Sequence, residues 1–307
     1  MIERIAILGT GLLGTSVGLA LRAAGYRGEI SGWNRTPEQA QIALAMGAID
    51  SFAHHMLEVG RRCDVVLLAV PIHATIDFME QLSGLLGPHQ LVTDVGSTKR
   101  EIAAAASRLY NRPGRAAFLP GHPMAGKEQG GASLADANLF RGATWLFTYL
   151  EDTKGTGLSP HDDKQSGSGA LTPEAISARA AQLMREWREW VAKFGAKIVD
   201  LDPTRHDELV AWVSHLPQFV STALGALLED QVGDAPELKE VCGRALREMT
   251  RLAASPYSMW RDIAHTNTAQ IEAVLHAFEQ RLAHLRENLR TPALRDEFEQ
   301  ANRFRRD

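Results

Sequence analysis

The residues that could carry chemistry in this 307-residue sequence fall in three stretches, and the first is rich in glycine. It follows a short apolar run and precedes a helical pattern. In a GxGxxG spacing the first glycine allows a tight turn, the second lets the backbone approach a pyrophosphate, and the third lets the helix pack against the strand. The positive end of that helix then stabilises the phosphate. The alternative is a glycine-rich turn without a ligand. We expect this loop to contact a dinucleotide through Gly9, Gly11, Leu12, Leu13 and Gly14.

The second stretch concerns which dinucleotide would bind. Asn34, Arg35 and Thr36 follow the next predicted strand, with Asn34 twenty residues after Gly14. An acidic residue here would bind the ribose 2′-hydroxyl of NAD and repel a 2′-phosphate. Asn34 removes that repulsion, and Arg35 could pair with the phosphate, although an arginine in a turn can also simply face solvent. We expect NADP as the preferred cofactor, with NAD as the alternative.

The third stretch has two parts, DVGSTK at 94–99 and GHPMAGKE at 121–128, each at the carboxyl end of a predicted strand. Open α/β sheets bind their ligands at that edge. His122 could therefore accept a hydroxyl proton while hydride leaves the same carbon atom. Without its surroundings, a histidine before a proline is more often an ordinary loop or cap residue.

Apolar runs that alternate with helical patterns must position these residues. The runs 5–8, 65–70 and 90–93 are typical of strands in a parallel sheet that helices cover on both faces. Further strands are predicted at 29–33, 117–119, 144–150 and 197–201. The alternation predicts an α/β Rossmann-type domain with a doubly wound parallel sheet over residues 1–202.

One part of that domain differs in composition from the rest. Residues 151–171 are polar, and they predict a long, mobile surface loop. Thr172 and Pro173 then predict the start of a helix, and Gly195 predicts its end.

After residue 202 only helical patterns remain, so we expect an all-α substrate and dimerisation domain at 203–290 and a polar tail at 291–307. The segment 209–228 predicts a helix that is buried on every side and kinked or broken at Pro217. Burial all round in so small a domain favours a homodimer through the C-terminal helices, and a self-contained bundle is the alternative. A near-heptad seam points the same way: Ile271, Leu275, Phe278, Leu282, Leu285 and Leu289.

Composition limits the class of partner. The formal net charge is −4 and no basic run occurs, so we expect no nucleic acid. No apolar stretch reaches the ~20 residues that cross a bilayer, so we expect no membrane insertion. Cys63 and Cys242 lack metal-ligand spacing, which predicts free thiols, no metal site and a cytoplasmic location.

The motifs, taken in order, carry a resemblance to a known family. The sequence resembles the prephenate/arogenate dehydrogenases over nearly its whole length, and GHPMAG together with the late TR…MWRD stretch is far more specific than the glycine loop alone. The matching segments are GTGLLG, AVP at 69–71, DVGSTK, GHPMAGKE, SHLP at 214–217 and TRLAASPYSMWRDI at 250–263.

The resemblance implies an enzyme of tyrosine biosynthesis, which oxidatively decarboxylates prephenate to 4-hydroxyphenylpyruvate, or arogenate to tyrosine, and transfers hydride to NAD(P)⁺. His122 matches the histidine that accepts the proton of the ring hydroxyl, and Ser97 matches a serine that contacts the same hydroxyl and helps position that histidine. Val70, Pro71 and Asp94 are expected beside the cofactor.

The substrate-binding residues follow from the same resemblance. Arg251 matches the arginine that binds the ring carboxylate, and Ser214 and His215 match the pocket lining. Trp260 matches a tryptophan near the partner subunit's site, and Glu128 is expected in a polar gate at the pocket mouth.

Two positions depart from the family pattern. Gln218 stands where several members that use prephenate carry a second histidine, which leaves the preference between prephenate and arogenate open. Lys127 stands where some members have a small hydroxyl residue, and it could attract the side-chain carboxylate of the substrate. We expect both residues to bind substrate.

Two rival functions share parts of this pattern. Reductases of the 3-hydroxyacid or ketopantoate type also join a Rossmann domain to helices, but they use a lysine of the second domain, and Lys239 lacks their motif context. A dinucleotide-sensing regulator would not require His122, Ser97 and Arg251 together, and the site argues against it.

Overall fold

The structure, a computed structural model, describes residues 1–149 and 176–306. Its larger sheet has the order β3-β2-β1-β4-β5-β6, and every neighbouring pair is parallel. This order reverses between β1 and β4, as in a Rossmann fold. The strands are β1 (Arg4–Leu8), β2 (Glu29–Trp33), β3 (Ser51–Phe52), β4 (Val65–Leu68), β5 (Leu91–Asp94) and β6 (Ala117–Leu119).

Helices cover both faces of this sheet, so its central strands are apolar on both sides. Along β1, Ile5 and Ile7 belong to one core cluster, and Ala6 and Leu8 belong to the other. The predicted Rossmann-type fold is confirmed. The helices of this part are α1 (Leu12–Ala23), α2 (Pro37–Ala45), α3 (Met56–Gly60), α4 (Ile72–Ser83), α5 (Arg100–Leu109) and α6 (Ala178–Lys193), with a 3₁₀ turn at Ala132–Leu134.

The strands predicted at 144–150 and 197–201 are present, but they lie in a second sheet. Its strands are β7 (Gly121–Pro123), β8 (Thr144–Thr148) and β9 (Lys197–Leu201), in that order. β7 runs antiparallel to β8, and β8 runs parallel to β9. The chain turns sharply between β6 and β7, and this turn places His122 on the small sheet beside the edge of the large one.

The predicted loop at 151–171 and the helix start at Thr172 and Pro173 lie outside the described residues. The described helix α6 begins at Ala178, where the hydroxyl of Ser177 accepts a hydrogen bond from the backbone N–H of Ala180 at 3.0 Å. Gly195 follows the helix with a φ of +83°, a left-handed conformation that favours glycine and ends the helix.

The C-terminal part is helical, as predicted. α7 joins α8 through a π-helical turn at Ala211–His215. The backbone stays helical across this turn, so the kink or break predicted at Pro217 takes the form of a local π-helical turn. A 3₁₀ turn at Arg251–Ala254 precedes α11. The helices are α7 (Pro203–Val210), α8 (Leu216–Val232), α9 (Leu238–Val241), α10 (Arg244–Thr250), α11 (Tyr257–Thr266), α12 (Thr268–Glu287) and α13 (Ala293–Arg306).

Two expectations for this part are wrong within the single chain. The segment 209–228 is not buried all round, since Trp212 is 51% exposed and Val213 is 64% exposed. The near-heptad residues Leu282 and Leu289 are also exposed. The stretch 291–307, expected as a polar tail, is largely helical, because most of it forms α13. A helix with the length and hydropathy of a membrane span is absent from the described part of the chain.

Candidate active site

The glycine loop leaves an open cradle at the edge where the sheet order reverses. Gly9 has a φ of +106°, and a Cβ atom there would lie 2.2 Å from the carbonyl oxygen of Ala69. A Cβ atom on Gly14 would lie 2.0 Å from the carbonyl oxygen of Gly9. A Cβ atom on Gly11 would meet nothing within 4 Å. The loop is therefore tight against the protein on two sides and open where a pyrophosphate would approach, which fits a bound dinucleotide.

The residues that follow β2 form a small turn at the same edge. The side-chain oxygen of Asn34 accepts a hydrogen bond from the backbone N–H of Thr36 at 2.9 Å. Arg35 is exposed at the tip of this turn and has no ion-pair partner among the described residues. Its guanidinium is therefore free to bind an anion.

The cofactor-side residues after β4 also lie at this edge. A side chain on Gly9 would come within 2.8 Å of Val70, and Pro71 precedes α4 as its N-cap residue. Leu12 and Leu13 begin α1 directly behind the open cradle.

Asp94, which was expected beside the cofactor, is fully buried, and both of its carboxylate oxygens have partners within the protein. Its Oδ2 atom lies 2.7 Å from the Nζ of Lys99 and accepts the N–H of Gly96 at 2.7 Å. Its Oδ1 atom accepts the N–H of Gly121 at 3.1 Å. The carboxylate thus joins the end of β5 to the start of β7, and a contact of Asp94 with the cofactor stays a prediction.

His122 is buried and lies against a second histidine that the sequence did not single out. Its Nδ1 atom is 2.9 Å from the Nε2 atom of His206. The Nδ1 atom of His206 is in turn 2.7 Å from Oδ1 of Asp207. The same carboxylate accepts the backbone N–H groups of Lys99 at 2.7 Å and Arg100 at 2.9 Å, which caps the start of α5.

The positioning role expected for Ser97 stays a prediction. It is half-buried in the loop after β5 and makes no described hydrogen bond to His122. The Nδ1 atom of His122 is already occupied by His206. Ser97 remains close in sequence to the site, between Gly96 and Lys99, which hold the loop.

His215 and Trp260 line the helical side of the site. His215 is buried, and its Nδ1 atom lies 3.3 Å from the side-chain nitrogen of Asn267. Trp260 was expected near the partner's site, yet its ring packs edge-on against His215 of its own chain at 5.9 Å between centroids. It also packs against Phe219, at 5.8 Å between ring centroids, so His215 and Phe219 contact the same indole ring.

Arg251 and Glu128 meet although they lie 123 residues apart in the sequence, and their side chains form an ion pair. The Arg251 side chain is 61% exposed, so this ion pair is open to solvent. Lys127, beside Glu128, donates to the carbonyl oxygen of Leu134 at 2.6 Å. Arg251 and Glu128 thus form an exposed charged pair, and Lys127 is next to Glu128 in the sequence.

Ser214 and Gln218 flank His215 on the π-helical turn and α8. Ser214 is half-buried. Gln218 is buried and donates to the carbonyl oxygen of Leu252 at 2.8 Å. Because Leu252 follows Arg251 directly, Gln218 holds the turn that carries the arginine.

Burial keeps the histidines of this site neutral at ordinary pH. It lowers the pKa of His122 well below its usual value, and the neighbouring His206 and Lys99 act in the same direction. Burial also lowers the pKa of His206, although the hydrogen bond to Asp207 opposes it. The pKa of His215 falls to about 4, again chiefly through burial. A buried neutral imidazole has one bare nitrogen that can accept a proton.

Sequence reasoning missed four buried residues of the site: Lys99, His206, Asp207 and Asn267. The sequence Asp202-Pro203-Thr204-Arg205-His206-Asp207 reads as an ordinary helix start, and Asp202 does cap α7.

Comparison with known proteins finds a matching family model for each of the two parts of the chain. Residues 17–160 match the family model described as the prephenate dehydrogenase nucleotide-binding domain. Residues 202–303 match the prephenate dehydrogenase dimerization domain. The prephenate dehydrogenase of Lactococcus lactis subsp. cremoris is 30% identical over 286 residues, which cover 93% of this chain and 70% of that protein.

Solved structures show the same similarity. The chain superposes on Aquifex aeolicus prephenate dehydrogenase, in complex with hydroxyphenyl propionate and NAD⁺, with a TM-score of 0.79, 26% identity and coverage of 100% and 98% of the two chains. Synechocystis arogenate dehydrogenase gives a TM-score of 0.73 at 27% identity, with 98% of each chain covered.

Proposed function

The chain belongs to the prephenate dehydrogenase family, and we propose that it oxidatively decarboxylates prephenate, or its aminated form arogenate, with NAD(P)⁺ as the hydride acceptor. The observation that carries this proposal is the geometry of His122. A neutral, buried imidazole lies beside the edge that carries the nucleotide loop, and its Nδ1 atom is held by His206. The Nε2 atom has no described partner and is the free proton acceptor.

The chemistry that this histidine would perform is a proton transfer at the ring hydroxyl. When His122 accepts that proton, the electrons of the O–H bond form a carbonyl, and hydride leaves the same carbon atom. A bound nicotinamide supplies the hydride acceptor. Loss of CO₂ from the opposite ring carbon then restores aromaticity, and His122 can return its proton to the phenolate oxygen that forms. The protein must therefore hold the hydroxyl, base and cofactor in line.

The charged group at the surface end would bind the carboxylate of the substrate ring. A guanidinium binds a carboxylate through two parallel hydrogen bonds, which also orients the ring. In the structure Arg251 is paired with the carboxylate of Glu128. We propose that the substrate carboxylate displaces Glu128, so that the pair acts as a gate. Lys127, next to Glu128 in the sequence, would attract the side-chain carboxylate of the substrate. Ser214, His215 and Gln218 would form the wall of the pocket.

For the cofactor, we propose a preference for NADP over NAD. The support is chemical: Asn34 replaces the carboxylate that would repel a 2′-phosphate, and the exposed Arg35 next to it can pair with that phosphate.

We also propose that the domains divide at residue 202 and that the chain is a homodimer through its C-terminal helices. Exposed apolar side chains support the dimer, because they lie on the helical part and include Trp212, Val213 and Leu289. The match to a dimerization domain model covers the same part.

A steady-state comparison of both substrates with both cofactors tests the proposal. We expect reduced nicotinamide to form, with CO₂ release, on prephenate or arogenate. Binding of the dinucleotide without turnover on either substrate would contradict it and would favour a regulator. The ratio of kcat/KM values for the two substrates, and for the two cofactors, then gives both preferences directly.

A further inference from the structure

Asp207, His206 and His122 form a hydrogen-bonded series, and the three residues come from two elements that lie far apart in the sequence. His122 comes from β7, and the other two residues come from α7. Both contacts are short, at 2.7 Å and 2.9 Å, and the side chains of His206 and Asp207 are fully buried. Burying two polar groups together is costly unless each hydrogen-bonding atom has a partner.

Hydrogen-bond chemistry decides which atom is the donor and which is the acceptor at each contact of this series. The carboxylate of Asp207 already accepts the N–H groups of Lys99 and Arg100, so it acts as an acceptor toward His206 as well. The Nδ1 atom of His206 must therefore carry hydrogen. Because His206 is neutral, its Nε2 atom is bare and accepts from the Nδ1–H of His122. This leaves the Nε2 atom of His122 without hydrogen.

His215, the third histidine of the site, is held in the opposite tautomer. The side-chain nitrogen of Asn267 donates to the carbonyl oxygen of Asp207 at 2.9 Å and lies 3.3 Å from Nδ1 of His215. A donor at that nitrogen makes Nδ1 of His215 an acceptor, so its Nε2 atom carries hydrogen. The site thus holds one imidazole that accepts a proton and one that donates a hydrogen bond.

We propose that His206 and Asp207 are positioning residues for His122: they hold its ring in the tautomer with a bare Nε2 atom and stabilise the proton that it accepts from the substrate. This inference rests on the proposed function. The proton stays on His122, Asp207 remains an acceptor throughout, and the proton returns to the phenolate oxygen after CO₂ leaves. Groups that hold a catalytic imidazole in one tautomer act in this way in hydrolytic triads.

A purely structural role for the two residues makes a different prediction. Asp207 caps α5 with its two carboxylate oxygens, and this cap does not need the contact between His206 and His122. If the cap were the whole role, replacing His206 would change stability and leave the tautomer of His122 unaltered. The state of the His122 ring therefore separates the two roles.

The test compares His206→Phe with His206→Gln and with the surface control His265→Phe. Phenylalanine keeps a planar ring but cannot accept from His122, so we expect kcat to fall roughly 10- to 100-fold with KM little changed. Glutamine can donate to Asp207 and accept from His122, so it should restore a large part of kcat. His265 is exposed on α11 and its variant should match the wild type.

The second measurement needs no substrate. In ¹⁵N-histidine-labelled resting enzyme, with the His122 signals assigned by their loss in His122→Asn, we expect a protonated Nδ1 and a bare Nε2. His206→Phe should populate the opposite tautomer. The inference is overturned by an unchanged tautomer in folded His206→Phe, or by a protonated Nε2 in the wild type. Because the spectra are taken without turnover, they decide this inference even if neither prephenate nor arogenate is a substrate.

Discussion

The two sides of the active site differ sharply in how completely one chain builds them. The base side, formed by His122, His206, Asp207, Lys99 and Asp94, is buried, and its charged and polar groups are paired at 2.7 to 2.9 Å. The clamp side, formed by Arg251, Glu128 and Lys127, is open. Its arginine side chain is 61% exposed, and apolar residues of the neighbouring helices face solvent.

The difference shows how each side holds its functional groups in position. A base must lie within hydrogen-bond distance of one proton. On the base side, a buried hydrogen-bond network holds the imidazole of His122 in position within a single chain. A carboxylate clamp in contact with water is weaker, because solvent screens the charges. We infer that a second copy completes the clamp side by covering the exposed apolar surface around it.

The largest effect is expected on the base side. Replacing His122 with asparagine removes the proton acceptor but retains a small polar side chain. We expect kcat to fall by roughly 10²–10⁴, the usual contribution of a positioned base, while dinucleotide affinity stays near the wild-type value. Steady-state kinetics and cofactor titration measure the two quantities. Wild-type turnover in this variant would remove His122 from the mechanism.

The second effect is the pH dependence of stability, which also comes from the base side. Burial lowers the pKa values of His122, His206 and His215, the last to about 4, whereas an unfolded chain restores them to about 6.5. Between these values the unfolded state binds more protons, so the stabilisation is complete above about pH 6.5 and is lost as pH falls toward 4.

For His215 alone this loss is on the order of 3 kcal/mol. Urea unfolding between pH 7.5 and 4.5 should therefore show a falling free energy of unfolding. A constant free energy across that interval would mean that the three imidazoles are hydrated in the folded protein.

The third effect belongs to the clamp side. Arg251→Ala should mainly raise KM, because the carboxylate is present in both ground and transition states until CO₂ leaves. We expect kcat/KM to fall about 10- to 100-fold, the contribution of a charge-assisted hydrogen bond. Arg244→Ala is a matched control, since Arg244 also forms an exposed ion pair, with Glu248 on α10. An unchanged KM in Arg251→Ala would argue that the clamp lies elsewhere.

The smallest effect concerns cofactor choice. Arg35→Ala should raise KM for NADP about tenfold and leave KM for NAD nearly constant, because one charge-assisted contact to the 2′-phosphate is lost. Arg27→Ala, another exposed arginine beside β2, should alter neither value. If NAD is the better cofactor of the wild-type enzyme, the argument from Asn34 and Arg35 is wrong.

The contrast between the two sides also marks what sequence reasoning could reach. The glycine loop, His122 and the interruption near Pro217 depend on short-range signals, and the structure shows the glycine loop as expected and a π-helical turn directly before α8. The contact between His122 and His206 spans 84 residues, and no local pattern reports it. The pairing of Asp94 with Lys99 and Gly121 was missed for the same reason, because only the fold brings these partners to it.

Exposure of the helical part was the other error, and its cause is physical. The apolar pattern of 209–228 specifies a surface that must be covered, but not whether the same chain covers it. The exposed Trp212 and Val213 show that the described part of this chain does not. A pattern that predicts burial therefore predicts an assembly as readily as a core.

The most direct test of the contrast is turnover as a function of protein concentration, with the oligomeric state followed by analytical ultracentrifugation and cofactor binding followed by fluorescence. We predict that kcat/KM falls as the dimer dissociates on dilution, because the clamp side loses its cover, while the dinucleotide still binds the monomer. A monomer that retains full kcat/KM on prephenate or arogenate would contradict the account.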